Sequence, residues 1–251
     1  MSTDALRITG LSHSFGSVKA LSDVSLTVPR GSFTALLGVN GAGKTTLFSL
    51  VTRLYSNVTG SIEVAGHDVR RQPAQAMARL GVVFQSRALD ADLSVAQNLA
   101  YHAALHGIGR SMARARITEV LAQVGLAGSV GDLSPSELSG GMQKRVALAR
   151  TIASQPAILF FDEPTTGLDP IMGAVIDGLI VDCVKRLGAT AITITHDMHS
   201  ARRIGDQASM IYQGRMVWTG PAATLGETGN AMVDQFARGE REGPIKMELR
   251  R

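Results

Sequence analysis

Gly38-Val39-Asn40-Gly41-Ala42-Gly43-Lys44-Thr45, followed by Thr46, reads G-x-x-x-x-G-K-T, the spacing of a phosphate-binding loop. The run before it, Ser32-Phe33-Thr34-Ala35-Leu36-Leu37, is short, apolar and strand-like. After it, Leu47, Leu50, Val51 and Leu54 recur at helical spacing and predict a helix over 44–55. Strand, glycine loop and helix are the context that separates this motif from a chance match in a glycine-rich chain. The glycines let the backbone wrap closely, so that several N–H groups converge on the β- and γ-phosphates. The helix N-terminus adds a favourable dipole, Lys44 a point charge and Thr45 a hydroxyl for Mg2+. Such a loop binds a nucleoside triphosphate.

With 251 residues, 45% of them hydrophobic, and 27 glycines, the chain suits one large α/β domain with room for an inserted subdomain. The single Cys183 has no partner for an internal disulfide and reads as a buried structural thiol in a reducing compartment. No apolar run approaches the roughly 18 residues that span a bilayer, and Met1-Ser2-Thr3-Asp4 lacks a signal pattern. A cytosolic protein is expected, with any membrane association made through a partner. The net charge of +4 is dispersed except near the C-terminus, which gives no ground for a nucleic-acid partner.

Residues 6–37 read as a β-rich opening, with Val24, Leu26 and Val28 alternating and Pro29-Arg30-Gly31 as a turn. Phe15, between Ser14 and Gly16, fits either core packing or stacking on a base. Ser61 to Gly66 and Leu80 to Phe84 look like strands, the second ending at Gln85. From 86 to about 154 the pattern turns helical: His102, Leu105 and His106 are placed on one face, as are Ile117, Val120, Leu121 and Val124. His102 and His106 have metal-binding spacing, but with no third ligand or Glu beside them packing or surface is the better reading. A helix from Met142 to Ala153 is expected after Ser139-Gly140-Gly141, with Val146, Ala149 and Ile152 inward. Ala157 to Phe161 and Thr190 to Thr195 are near-continuous apolar runs of the parallel-strand kind. A helix over 172–187, with Val175, Leu179, Ile180 and Val184 apolar, joins them by a right-handed crossover. That brings Asp162, Glu163 and His196 to the strands' carboxyl ends, where ligands collect in such sheets. A hairpin over 208–218 follows, and the charged tail from Arg238 is expected outside the core.

The phosphate loop, Gln85, Leu138-Ser139-Gly140-Gly141-Met142-Gln143, Phe160-Phe161-Asp162-Glu163-Pro164 and His196 occur in this order over nearly the whole chain. The set resembles the nucleotide-binding subunit of ATP-binding cassette (ABC) transporters, and the L-S-G-G-x-Q run is specific to it. The resemblance implies an α/β fold: a P-loop NTPase (RecA-like) core with an N-terminal antiparallel β subdomain and an inserted α-helical signature subdomain. One ATPase domain would fill 1–240, its core at 1–85 and 155–240, its helical subdomain at 86–154, and a tail at 241–251. ATP and Mg2+ are the implied cofactors. The loop residues Gly38, Asn40, Gly41, Gly43, Lys44, Thr45 and Thr46 would bind nucleotide, and Phe15 becomes the adenine stacker. Asp162 takes the role of the Walker B acid, sharing Mg2+ with Thr45 and Gln85. Glu163 would orient and activate the attacking water, and His196 would contact the γ-phosphate. Ser139, Gly140, Gly141 and Gln143 would bind the ATP held by another subunit's loop, with Asp169 crossing to that subunit in Thr166-Gly167-Leu168-Asp169. The implied assembly is a homodimer on the cytoplasmic face of the membrane, working through integral membrane permease subunits. A periplasmic substrate-binding component is compatible with it.

The two ends resemble different subfamilies. The phosphate loop and Gly81 to Asp90, including Ser86-Arg87-Ala88-Leu89, are similar to ATPases of ABC-2-type exporters. The stretches from Leu138 onward, with Thr195-His196-Asp197-Met198 and the tail Gly243 to Arg251, resemble ATPases of Mce/Mla-type phospholipid systems. Recombination or drift of one subfamily would each explain this. The longer matching stretches favour phospholipid or other hydrophobic cargo, with ABC-2-type export as the alternative. A soluble ABC protein without a membrane partner is disfavoured by the single cassette. A silent cassette is disfavoured by the presence of Lys44, Glu163 and His196.

Overall fold

The computed structural model describes residues 3–56, 59–85, 89–126 and 129–246. The chain opens with β1 (Asp4–Phe15), β2 (Val18–Pro29) and β3 (Phe33–Leu37), then α1 (Lys44–Val51), β4 (Thr59–Val64), β5 (His67–Asp68), α2 (Pro73–Met77) and β6 (Leu80–Val83). Three longer helices follow: α3 (Val95–Leu105), α4 (Arg110–Gln123) and α5 (Gly140–Ile152). The last third alternates as β7 (Ile158–Asp162), α6 (Pro170–Leu187), β8 (Thr190–Ile194), α7 (Met198–Ile204), β9 (Gln207–Tyr212), β10 (Arg215–Pro221) and α8 (Ala231–Arg238).

Two sheets result. The first is antiparallel, in the order β2-β1-β4-β5; the second runs β10-β9-β3-β8-β7-β6 and is parallel apart from the terminal β9–β10 hairpin. Alternation explains the first: along β2, Val24, Leu26 and Val28 are buried and their neighbours exposed. The inner strands of the second, β3, β7 and β8, are buried on both faces. Phe160 joins one core with Phe48 and Ile192, while Phe161 and Leu159 join another with Val83, Val146 and Ile180. The centre of this sheet is β3, and the phosphate loop leaves its carboxyl end. In register beside it, Leu36 pairs with Ile194 and Ile194 with Asp162. One sheet edge therefore gathers the loop, Asp162-Glu163 and His196.

Several expectations are corrected. α1 ends at Val51, because Arg53 turns left-handed at φ 59°, and Leu54 is left exposed. α5 starts two residues earlier than expected, since Ser139 is its cap and Gly140 and Gly141 form its first turn. α6 likewise begins at Pro170, and Val175 lies on its exposed side. His102 is half-buried and Leu105 and His106 are exposed, which fits the surface reading of that face. The tail is not outside the core: Ile245 is buried in a cluster with Leu37, Met210 and Val233. Gln235 pulls it in, since its amide nitrogen donates to Ile245 O at 3.1 Å and its oxygen accepts from Ile245 N at 2.7 Å. Cys183 is buried as expected, and burial pushes its thiol up to about 11. Met1-Ser2, Ser86-Arg87-Ala88 and residues 247–251 of the tail lie outside the described residues. Among those described, no helix is long and apolar enough to cross a membrane.

Candidate nucleotide site

Volume does not select the site. Clefts of about 660, 790 and 680 Å³ lie, respectively, between α3 and α4, beneath the C-terminal segment, and over the phosphate loop. Only the last gathers Lys44, Gln85, Asp162 and Glu163.

The loop there is shaped by its glycines. A Cβ on Gly38 would collide with Ile211 O, and one on Gly43, at φ 111°, would sit 2.8 Å from Leu21 Cδ2 and 2.9 Å from Ala20 O. α1 starts at Lys44 with no side-chain cap and no acidic residue in its first turn, so its N-terminal N–H groups suit an anion from outside the chain. Lys44 is 7% exposed. Its ammonium donates to Gly38 O at 2.6 Å and Val39 O at 3.0 Å, leaving one of its three donors for a phosphate oxygen. Burial lowers its pKa, and Glu163 and Asp162 oppose that shift. Asn40, Gly41, Gly43, Thr45 and Thr46 border the same cleft.

Opposite the loop, Asp162 is half-buried at the end of β7. Burial pushes its carboxyl above the usual range, Glu163 adds to this, and Lys44 and Lys144 pull it back. Two adjacent carboxylates so placed suit a divalent cation. No cluster of three or more His, Cys, Asp or Glu forms among the described residues. Thr45, Asp162 and Gln85 border the same cleft and are the groups that could hold Mg2+ together with phosphates and water.

Glu163 has left-handed backbone, φ 46°, pinned by its N–H donating to Ile194 O at 3.0 Å. For a non-glycine residue such a conformation costs about 1–3 kcal/mol. Its Oε2 accepts from Gln85 Nε2 at 3.1 Å and Thr166 Oγ1 at 2.9 Å. Its Oε1 lies 3.2 Å from His196 Nδ1. Neither Thr166 in this network nor Lys144, whose ammonium donates to Gln85 O at 2.6 Å, was foreseen from residue pattern. Val18, Lys19 and Ala20 at the start of β2, and Gln213-Gly214 in the last hairpin turn, also border the cleft. Gly214 N donates to Ala42 O at 2.9 Å, fixing that turn to the loop; its polar glycine turn was the available signal.

Other expected residues sit elsewhere. Ser139 caps α5 by accepting from Met142 N at 3.3 Å, and neither it nor Gly140, Gly141 or Gln143 borders the cleft of Lys44. The Gln143 amide donates to Pro135 O and Leu138 O at 3.0 and 3.2 Å, so it braces the approach to α5. Asp169 caps α6, accepting from the N–H groups of Ile171 and Met172 at 3.0 Å each. Phe15 is 45% exposed. Its ring packs edge-on against His13 and Tyr55, with centroids 4.7 and 5.4 Å apart. His102 and His106 stack at 4.6 Å. Burial, then Arg150 and His106, lower His102 to about 4.

Residues 21–166, which include the loop, Gln85, Ser139–Gly141 and Glu163, match the family described as ABC transporter. The chain belongs to the ATP-binding subunits of ABC transporters. It is therefore an ATPase whose hydrolysis powers transport. This ABC ATPase is 38% identical over 242 residues to daunorubicin resistance ATP-binding protein DrrA3 of Streptomyces coeruleorubidus, covering 95% of this chain and 75% of that protein. It is 34% identical over 253 residues to the intermembrane phospholipid transport system ATP-binding protein MlaF of Haemophilus influenzae, covering 99% and 96%. Both alignments cover nearly the whole of this chain, so neither likeness is confined to one half of the ATPase. Among solved structures, cbiO1 of Clostridium perfringens, part of the ABC transporter complex cbiONQ, superposes at a TM-score of 0.81. That match has 29% identity and covers 89% of this chain and 91% of that one.

Proposed function

We propose that this ABC ATPase hydrolyses ATP at sites shared by two copies of the chain and drives separate membrane-spanning subunits that move a phospholipid or similar hydrophobic cargo. The observation that carries the catalytic part is the Glu163 carboxylate. Oε2 is filled by Gln85 and Thr166, and among the described residues Oε1 is approached only by His196, which leaves an Oε1 lone pair for a water. Glu163 then accepts that water's proton, and His196 orients the oxygen that takes it. Lys44 and the loop N–H groups bind the β- and γ-phosphates in both ground and transition states. Asp162, Thr45 and Gln85 hold Mg2+, which when bound neutralises charge on the phosphates. Phe15 stacks on adenine.

Ser139, Gly140 and Gly141 offer a second helix N-terminus, supported by their position away from the cleft of Lys44. A helix start favours an anion, and the copy opposite supplies it as the phosphate of its own bound nucleotide. Gln143 and Asp169 support these helix starts within the chain. The assembly is a homodimer attached to the cytoplasmic face of a membrane through permease subunits.

Lipid cargo is favoured by the likeness to MlaF, which is mutual over nearly the full length of both proteins. The higher identity to DrrA3 favours a second reading, export through an ABC-2-type permease. Purifying the tagged chain with its membrane partner, and assaying reconstituted vesicles for ATP-dependent movement of fluorescent phospholipid, separates them. Lipid movement supports the first reading. ATP turnover stimulated by daunorubicin and not by lipid supports the second.

A further inference from the structure

Lys144 has no part in the roles assigned above, yet it is the one cation outside the phosphate loop whose charge faces Asp162 and Glu163 among the described groups with shifted pKa values. It lies in the first half of α5, half-buried, and its ammonium donates to Gln85 O at 2.6 Å. Gln85 follows β6, the edge strand of the sheet, so no outer strand holds its backbone. α5 holds this edge instead, at two points on one helix face. Thr151 Oγ1 donates to Val82 O at 3.1 Å, and Lys144, seven residues earlier, takes Gln85 O. From the other side of Gln85, the side-chain amide reaches Glu163 Oε2 at 3.1 Å. A continuous path thus runs from the start of α5, through Lys144 and the Gln85 peptide, to the Glu163 carboxylate.

We propose that Lys144 is a positioning residue for hydrolysis, making the Gln85 backbone follow α5 so that docking of Ser139 and Gly140 on a phosphate is relayed to the Gln85–Glu163 contact. The inference rests on the roles proposed above for Gln85 and Glu163. The distance is short enough for rigid transmission: Ser139 to Lys144 is little more than one helical turn, about 7–8 Å along the axis. A cation suits the task. It makes a charge-assisted bond to the carbonyl; burial lowers its pKa, and Asp162 and Glu163 oppose that shift. A lysine present only to cover apolar surface with its stem would carry its head into water; this one carries it onto a backbone carbonyl beside the site.

The test is steady-state ATP hydrolysis by the full chain with its membrane partner, alongside direct titration of ATP binding. Variants are Lys144→Met, Lys144→Arg, Gln85→Ala and the pair Lys144→Met/Gln85→Ala, with Glu163→Gln as reference. Lys144→Met is expected to lower kcat about tenfold, the scale of one charge-assisted hydrogen bond, with ATP affinity within about twofold. Lys144→Arg should recover most of the loss, and the double variant should be no slower than Gln85→Ala alone. Where Lys144→Met lowers the melting temperature, Lys144→Gln, which keeps polarity without charge, replaces it. A wild-type kcat in Lys144→Met beside an inactive Glu163→Gln overturns the inference and spares the site assignment. So does a loss that Lys144→Arg leaves unrepaired, or one that adds to that of Gln85→Ala. Wild-type turnover in Glu163→Gln overturns the site assignment itself, and the inference with it.

Discussion

His196 Nδ1 lies 3.2 Å from Glu163 Oε1, the carboxylate oxygen that Gln85 and Thr166 leave alone. The imidazole therefore sets the direction of the oxygen that faces a water, while the other two groups fix the far side of the carboxylate. Each of the three comes from a different segment, after β6, after β7 and after β8. The network closes only when the parallel sheet is in register.

His196→Ala should lower kcat by about 10²–10⁴-fold, the range for a misoriented general base, with ATP affinity unchanged. Steady-state kinetics beside a binding titration checks this. A loss of affinity that accounts for the whole drop in kcat/KM would give His196 a binding role instead.

Ser139→Arg should stop hydrolysis and leave ATP binding to a single chain intact, because α5 begins away from the cleft of Lys44. Lys44→Ala should do the opposite and weaken binding itself. Mixed, the two variants form a dimer with one site carrying both lesions and one intact, so turnover should partly return. ATP binding lost in monomeric Ser139→Arg would place Ser139 in its own chain's pocket.

The phosphate loop, Asp162, Glu163 and His196 were legible because each motif is local and its chemistry follows from residue type and from the sheet edge it ends on. What escaped was made of backbone and distance. Lys144 binds a peptide carbonyl, 59 residues away, which has no signature in sequence. His13 and Tyr55 brace Phe15 from separate segments. Glu163's left-handed backbone is invisible because glutamate does not announce it. α8 was readable: Met232, Val233, Phe236 and Ala237 recur at helical spacing between an Asn230 start and a left-handed Gly239 stop. The burial of Ile245 followed from that same helix, through Gln235.

Gln235→Ala should destabilise the fold by about 1–3 kcal/mol, since it strips the buried N–H and C=O of Ile245 of their partners. Urea denaturation measures it. A midpoint unchanged from wild type would mean that residues 239–246 detach without consequence.

His102 gives a pH dependence. In the folded chain it titrates at about 4, against 6.5 for the free group, and its buried Nδ1 has no partner among the described groups. Between those values the unfolded chain binds a proton that the folded one does not, so stability falls as pH drops from about 6.5 towards 4. Melting temperatures from pH 7 to pH 5 should decline less in His102→Gln than in wild type. Parallel declines would remove His102 from the acid response.

The claim that the Glu163 carboxylate activates the water attacking ATP is tested most directly by a single-turnover assay of Glu163→Gln. The amide keeps the shape and the Thr166 and His196 neighbours but cannot accept the proton. ATP should be bound with wild-type affinity, hydrolysis slowed by about 10²–10⁴-fold, and a stable ATP-bound dimer should appear on size-exclusion chromatography. Hydrolysis at the wild-type rate with the same bound ATP would contradict it.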